Sequence, residues 1–230
     1  MSRTGDSNQA VEMLATMLCF TGLDAATLDA LGRSAIARSY ERDQVVFLEG
    51  DGCTGLYLVQ NGWLKAVKTS LEGREQVIRV VGSGEAFNEI GVFAGTPNHA
   101  TTVALEPATV WVISRETMLR LMDENPSLAR IVAQNLAQRV LHLLNLVEDL
   151  SLRTIEARLA RYLLKQSSDE VLHRQRWTTQ AEIASQLGTV LDTLNRALRS
   201  LSTEGLILVE RHEIRILDRE GLRSKALLSD

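Results

Sequence analysis

Two switches of hydrophobic period, one near Tyr40 and one after Ser114, constrain this chain more than any other feature. Between them the apolar residues fall in short β-type runs: Val45 to Leu48, Leu56 to Val59, Trp63 to Val67, Val77 to Val81, Thr101 to Leu105 and Thr109 to Ile113. Nine of the fifteen glycines lie between Gly50 and Gly95, where they permit the positive φ of tight reversals. Strands at this spacing predict a β-roll or barrel. On the N-terminal side, Met13, Leu14, Met17, Leu18, Leu23, Leu28 and Leu31 sit at helical spacing over residues 11–38. With a turn at Gly22, they predict two short helices. On the C-terminal side, Arg115 to Met122 predicts a short helix that ends before Asn125-Pro126, since the residue before proline is pushed out of the helical region.

A long helix follows. Leu136, Val140, Leu143, Val147 and Leu150 are separated by steps of four, three, four and three, an a/d seam that calls for a partner helix. Leu141, Leu144 and Leu146 supply a second stripe able to pack on the chain's own roll. Two stripes exceed what a helix covering a single roll requires, so a parallel homodimer is the expectation.

Composition bounds the rest. The 230 residues, 45% hydrophobic and 23% charged, suit one large or two modest globular domains, and no apolar run approaches the roughly 18 residues of a membrane span. Met1 to Ala10 is polar, reads as a disordered tail and lacks the order of a signal peptide, which predicts a cytoplasmic protein. Cys19 and Cys53 are too few for a disulfide framework or a thiolate cluster, and the four histidines are scattered, so neither an iron–sulfur cluster nor a metal site is expected. The net charge of −4 argues against bulk electrostatic coating of nucleic acid. It divides unevenly: up to Leu152 there are 12 Lys and Arg against 18 Asp and Glu, and beyond it 13 against 11. The more basic segment is the better partner for a polyanion.

That segment carries the functional motif. Thr178-Thr179-Gln180-Ala181-Glu182-Ile183-Ala184-Ser185-Gln186-Leu187-Gly188 reads as a capped helix stopped by glycine. A second helix begins at once, with Leu194, Ala197, Leu198 and Leu201 on one face and Asp192, Asn195, Arg196 and Arg199 on the other. A small residue at the helix contact, a glycine in the turn and apolar residues shared between the two helices are what a helix-turn-helix needs. Gly205 to Val209 and Ile214 to Leu217 then flank Glu210-Arg211-His212-Glu213, a hairpin with a basic tip that reads as a wing.

In this order, β-roll, long helix and winged helix, the chain resembles the Crp/Fnr family of bacterial transcription regulators over nearly its full length. The phrases carrying the likeness are Gly84-Glu85-Ala86-Phe87-Asn88-Glu89, Glu148-Asp149-Leu150-Ser151-Leu152-Arg153 and, most specifically, Ala181 to Gly205. The resemblance implies an α+β protein: a disordered tail over 1–10, a β-roll effector domain over 11–122, a dimerisation helix over 126–152 and a winged DNA-binding domain over 153–230. It also implies that the helix from Val190 enters the major groove, with Leu191, Asp192, Asn195 and Arg196 at base-contacting positions. Arg196 suits a guanine, Asp192 a cytosine amino group and Leu191 a thymine methyl. Thr178, Thr179, Gln180, Thr189, Arg199 and Arg211 complete the expected DNA-binding set, mostly as phosphate contacts, which position without specifying. Double-stranded DNA, a second copy of the chain and RNA polymerase are the implied partners.

The effector is less defined. In cyclic-nucleotide-binding members a Gly-Glu pair and an Arg-Ser pair hold the ligand; here Asn88-Glu89 and His99-Ala100 stand at those places. A neutral histidine lacks the guanidinium fork that clamps phosphate, so cyclic AMP is not expected. The expected pocket comprises Phe87, Asn88, Glu89, Ile90, His99, Ala100, Leu143 and Leu144. Thr96-Pro97-Asn98 and Ile216-Leu217-Asp218-Arg219 resemble the subgroup of denitrification regulators that sense nitric oxide through haem, which would make the chain a haem-based gas or redox sensor with His99 or His142 as ligand. The string Gly50-Asp51-Gly52-Cys53-Thr54-Gly55 matches a dinucleotide fingerprint only by letter, because a strand rather than a helix follows. No nucleophile, base and orienter can be assembled from the order of residues, so no enzyme is expected. The rival from another class is a dimeric ligand-binding module that uses its winged helix for protein contacts.

Overall fold

The computed structural model describes residues 3–73, 75–167, 170–173 and 178–227. It divides into two compact units, one of residues 1–68 and 78–141 and the other of residues 69–77 and 142–230. No helix among the described residues is long and apolar enough to cross a membrane.

The first unit begins with α1 (Arg3–Thr16), a single 3-10 turn (Leu18–Phe20) and α2 (Ala25–Ser34). Asp24 caps α2, its carboxylate accepting from the Thr27 amide at 2.8 Å. The expected disordered tail over 1–10 is corrected here: α1 starts at Arg3. Ala10 and Leu14, four apart on one face of α1, are buried with Met17 just beyond its end, which ties the helix to the core. Two four-stranded antiparallel sheets follow, in the orders β1-β8-β3-β6 and β2-β7-β4-β5. Their strands are β1 (Ile36–Tyr40), β2 (Val45–Phe47), β3 (Gly55–Asn61), β4 (Leu64–Thr69), β5 (Glu75–Val81), β6 (Ala86–Phe87), β7 (Thr101–Ala104) and β8 (Ala108–Ser114). The six predicted runs all appear as strands. β1 takes a stretch expected to be helical, pairing along β8 from Ile36 opposite Val112 to Tyr40 opposite Ala108. All but one of its residues are exposed, so it carries no in-and-out alternation to read.

β3 and β8 explain why their sequences are continuously apolar. Leu56, Leu58, Trp111 and Ile113 face the helices, in one cluster with Leu14, Leu31, Met118 and Leu128. Tyr57, Val59, Val110 and Val112 face the roll interior with Leu64, Val81 and Phe87. A strand buried on both faces loses the period-2 signal. Trp111, almost fully buried, satisfies its indole N–H on Gln60 Oε1 at 3.1 Å. Between β6 and β7 lies α3 (Glu89–Ala94), too short to leave a periodic pattern. After β8 come α4 (Arg115–Glu124), capped by Ser114, and α5 (Pro126–Leu152), which opens on proline at its first position.

The second unit holds the end of α5, α6 (Ile155–Gln166), β9 (Val171–His173), α7 (Gln180–Gln186), α8 (Leu191–Thr203), β10 (Ile207–Val209), β11 (Glu213–Ile216) and α9 (Arg219–Ala226). Thr154 breaks α5 from α6 and caps the latter, accepting from the Ala157 amide at 3.1 Å. Leu159, Leu163, Ile183, Leu194, Leu201, Ile207, Ile214 and Leu222 form its core. The predicted hairpin gains a third strand, in the order β10-β11-β9.

Candidate functional site

In the second unit, α7, a turn and α8 form the predicted pair. Thr179 Oγ1 accepts from the Glu182 amide at 3.1 Å and starts α7. Gly188, at φ +65°, makes the turn, and the Thr189 amide returns to the Ala184 carbonyl at 2.9 Å. Ile183, Ala184 and Leu187 meet Leu194, Ala197 and Leu198 in the core, so registry fixes which face of α8 is left outside. That face presents Leu191, Asp192, Arg196 and Arg199 exposed and Asn195 half-buried. Arg196 lies 3.5 Å from the Asp192 carboxylate and donates to Thr193 Oγ1 at 3.1 Å. Val190 caps α8 without a side-chain acceptor, leaving the first amides of the helix uncapped by any side chain. Thr189 and Gln180 are half-buried and Thr179 is exposed. Thr178 is corrected as a surface contact: it is buried, drawn inward one residue before the cap. On the wing, Arg211 is exposed at the tip, whereas Arg215 is held by Glu213 at 2.5 Å.

α5 exposes an apolar stripe. Val140 is 55% exposed, Leu144 59% and Val147 60%, with Leu141 and Leu150 beside them. One seam residue departs from expectation, Leu136, which packs into the first unit's own core; in the second stripe, expected to cover the roll, Leu144 is exposed instead.

In the first unit the predicted effector residues separate. Phe87 stacks on Tyr57, with ring centroids 5.0 Å apart, and lies 6.0 Å from Phe47, filling the roll interior. Asn88 takes the left-handed conformation at φ +71° that a glycine would favour, and its amide nitrogen donates to the Gly55 carbonyl at 3.1 Å and to Asn98 Oδ1 at 3.1 Å. Ile90 is exposed, and so is His99, whose Nε2 lies 2.8 Å from Thr96 Oγ1. Of the eight, only Glu89 lines the cavity described next.

That cavity, of about 460 Å³, lies among the 3-10 turn, the β5–β6 loop and the first half of α5. Its charged wall is a cluster that the sequence did not disclose. Arg79, with only 13% of its side chain exposed, donates to Glu85 at 2.9 Å, to Glu89 at 3.3 Å and to the Ala86 carbonyl at 2.7 Å. Arg139 approaches Glu89 at 3.7 Å. Burial, and then the neighbouring Arg79, push the Arg139 guanidinium below its ordinary range. The signals were present: Arg79 interrupts the apolar run Val77 to Val81, and Arg139 is the lone cation between Ile131 and Val147. No histidine lines the cavity and His99 faces solvent, so the imidazoles proposed from sequence as haem ligands do not fit this site; its one sulfur, Cys19, has its thiol pKa pushed up to about 12 by burial.

Comparison with known proteins gives two family matches. The cyclic nucleotide-binding domain matches residues 37–125, and the Crp-like helix-turn-helix domain matches residues 157–225. A CRP-like cAMP-activated global transcriptional regulator of Mycobacterium tuberculosis is 25% identical over 221 residues, covering 94% of this chain and 99% of the relative. The cyclic AMP receptor protein of Thermus thermophilus is 28% identical, covering 82% and 87%. The structure of FixK2 from Bradyrhizobium japonicum superposes with a TM-score of 0.74 at 21% identity, covering 85% of this chain and 99% of that one. The curated relatives are transcription regulators, not enzymes.

Proposed function

A chain in which a cyclic nucleotide-binding domain precedes a Crp-like helix-turn-helix domain belongs to the Crp/Fnr family of DNA-binding transcription regulators, and from that premise we propose that this protein is a cytoplasmic homodimer reading a two-fold DNA site under effector control. The observation that carries the reading is the outer face of α8, which leaves Leu191, Asp192 and Arg196 exposed and Asn195 half-buried while the opposite face is locked in the core; in this reading those four side chains contact bases. Thr179, Gln180, Thr189, Arg199 and Arg211, all exposed or half-buried, are in this reading the phosphate contacts. Dimerisation through α5 is supported by its apolar stripe, which no described residue covers. RNA polymerase is the further partner of the assembled regulator.

Cyclic AMP is not the effector in this reading, although the names of relatives carry it. The residues at the clamp positions are His99, turned to Thr96, and Ala100, neither of which forks a phosphate. Isothermal calorimetry with cyclic AMP is expected to give no tight stoichiometric binding.

Selection from genomic fragments by the purified protein, with and without a small-molecule extract, tests the function. A palindromic site is expected, with affinity falling steeply as salt rises. On that site Arg196→Ala costs about 1 to 3 kcal/mol. Absence of an enriched site in both conditions would instead favour a winged helix devoted to protein contacts.

A further inference from the structure

The cavity in the first unit is separate from the place where the family's nucleotide clamp falls. Phe87, Asn88, Ile90, His99 and Ala100 do not line it, and Glu89 alone touches both. Its walls are of two kinds. Phe20, Leu56, Phe93, Val132 and Leu136 form an apolar side, and the Arg79, Glu85, Glu89 and Arg139 cluster forms the charged one. At about 460 Å³ it falls within the range of small-molecule sites, roughly 300 to 1,000 Å³.

The two guanidiniums are not equally satisfied. Arg79 meets two carboxylates and a carbonyl. Arg139 has Glu89 alone at 3.7 Å, a carboxylate it shares with Arg79, and its Nε is buried with no hydrogen-bond partner. Its Nε is sealed off, so an acceptor in the cavity can meet the guanidinium only through its terminal nitrogens, which hold one long ion pair. We propose that this cavity binds a small organic monocarboxylate, its carboxylate taken by the terminal nitrogens of the Arg139 guanidinium and its hydrocarbon body laid against Phe20, Phe93, Val132 and Leu136. Glu85 and Glu89 on the same wall select the charge: a monoanion meets one under-satisfied guanidinium, while a dianionic phosphate would face two carboxylates. The proposal deepens the effector reading above and rests on it only for the consequence to DNA binding. Leu136 and Arg139 belong to α5, so an occupant bears directly on the helix that carries the apolar stripe.

The test uses the full-length protein and four probes: octanoate, phenylacetate, the neutral 2-phenylethanol and phenyl phosphate. Calorimetry without DNA is expected to show phenylacetate or octanoate bound at least tenfold more tightly than 2-phenylethanol, with phenyl phosphate weaker than phenylacetate. Arg139→Lys keeps a cation beside Glu89 but lacks the guanidinium fork, so it loses at least tenfold for the carboxylates and leaves 2-phenylethanol unchanged. Equal binding of acid and alcohol, tighter binding of phenyl phosphate, an unaffected Arg139→Lys, or no binding at millimolar probe would each overturn the site. DNA affinity is measured separately with and without phenylacetate. Binding that leaves DNA affinity unchanged keeps the site and sinks effector control, whereas loss of the site leaves the DNA-binding reading standing.

Discussion

Arg196 shows how one side chain can be held ready without being committed. Its contact with Asp192 is exposed and 3.5 Å long, and such surface pairs are worth about 0 to 1 kcal/mol, so a guanine edge can recruit the guanidinium at small cost. In the proposed reading Asp192 has two roles, orienting Arg196 and placing a negative charge near the phosphates. Asp192→Ala is expected to strengthen binding to scrambled DNA severalfold while lowering the ratio of specific to scrambled affinity; fluorescence anisotropy at fixed salt reads both, and a preserved ratio would argue against a reading role. Cys19 is the opposite case, a titratable group withdrawn from chemistry. Burial raises its thiol from an ordinary 9.0 to about 12 in the folded protein. Below pH 9 both states hold the proton and Cys19 adds no pH dependence. Between about pH 9 and 12 the unfolded thiol ionises while the folded one does not, so stability falls as pH rises. Cys19→Ser should flatten that decline, by up to about 1.4 kcal/mol per pH unit. Urea unfolding at pH 8, 9.5 and 10.5 makes the comparison, and parallel slopes for the two proteins would refute it. Cys53 is shifted the same way by burial, which makes a thiolate switch at neutral pH a poor fit to either cysteine.

Among the elements, the end of α5 depends on one arginine. Arg153 donates to Asp149 at 3.0 Å, to Glu148 at 2.5 Å and to the Ala226 carbonyl at the end of α9 at 3.2 Å. Only 12% of its side chain is exposed, so the three partners lose a desolvated donor together if it is truncated. Arg153→Met should cost about 1 to 3 kcal/mol in urea unfolding, and Arg153→Lys should restore only part, because an ammonium cannot span all three. The family phrase Glu148 to Arg153 was visible in the sequence, yet its partner in α9 was not, since that helix follows the last predicted strand and contact across more than seventy residues leaves no periodic trace. The same limit runs through the fold. Strands with turn glycines and helices with capping residues were legible because their signals are local: Thr179, Gly188 and the stripe from Leu194 to Leu201 define the reading head from sequence alone. β1, β9 and α3 were not, being too short or too exposed to show a period. Gly32 looked like a neutral glycine inside a helix, but a Cβ there would lie 2.3 Å from Val11 Cγ2, so it permits the close approach of α1 and α2. In the cavity only Glu89 was identified; Arg79 and Arg139 were hidden because a charge inside an apolar run has no meaning until its partners, distant in sequence, are known.

For the whole molecule, the proposed dimer would bring two reading heads to one site, and the apolar stripe of α5 is the feature proposed to join them. Val147 is 60% exposed on a face with Val140 and Leu144, and a glutamate at that position would set two like charges against each other across a parallel pair. Val147→Glu is therefore expected to convert a dimer into a 25.5 kDa monomer by sedimentation, with unchanged secondary structure. Its effect on DNA follows from linkage. In the dimer the second head binds as an intramolecular partner, which raises overall affinity by about 10² to 10⁴ over one head without any new contact. The monomer should lose that factor on the palindromic site and almost nothing on an isolated half-site. Salt supplies the discriminating readout, because the slope of log affinity against log salt counts phosphates neutralised. One head in place of two should roughly halve it. A variant that fails by misfolding would lose half-site binding as well, and one that stays dimeric would keep the full slope; either result would show that the stripe serves something other than joining the two heads.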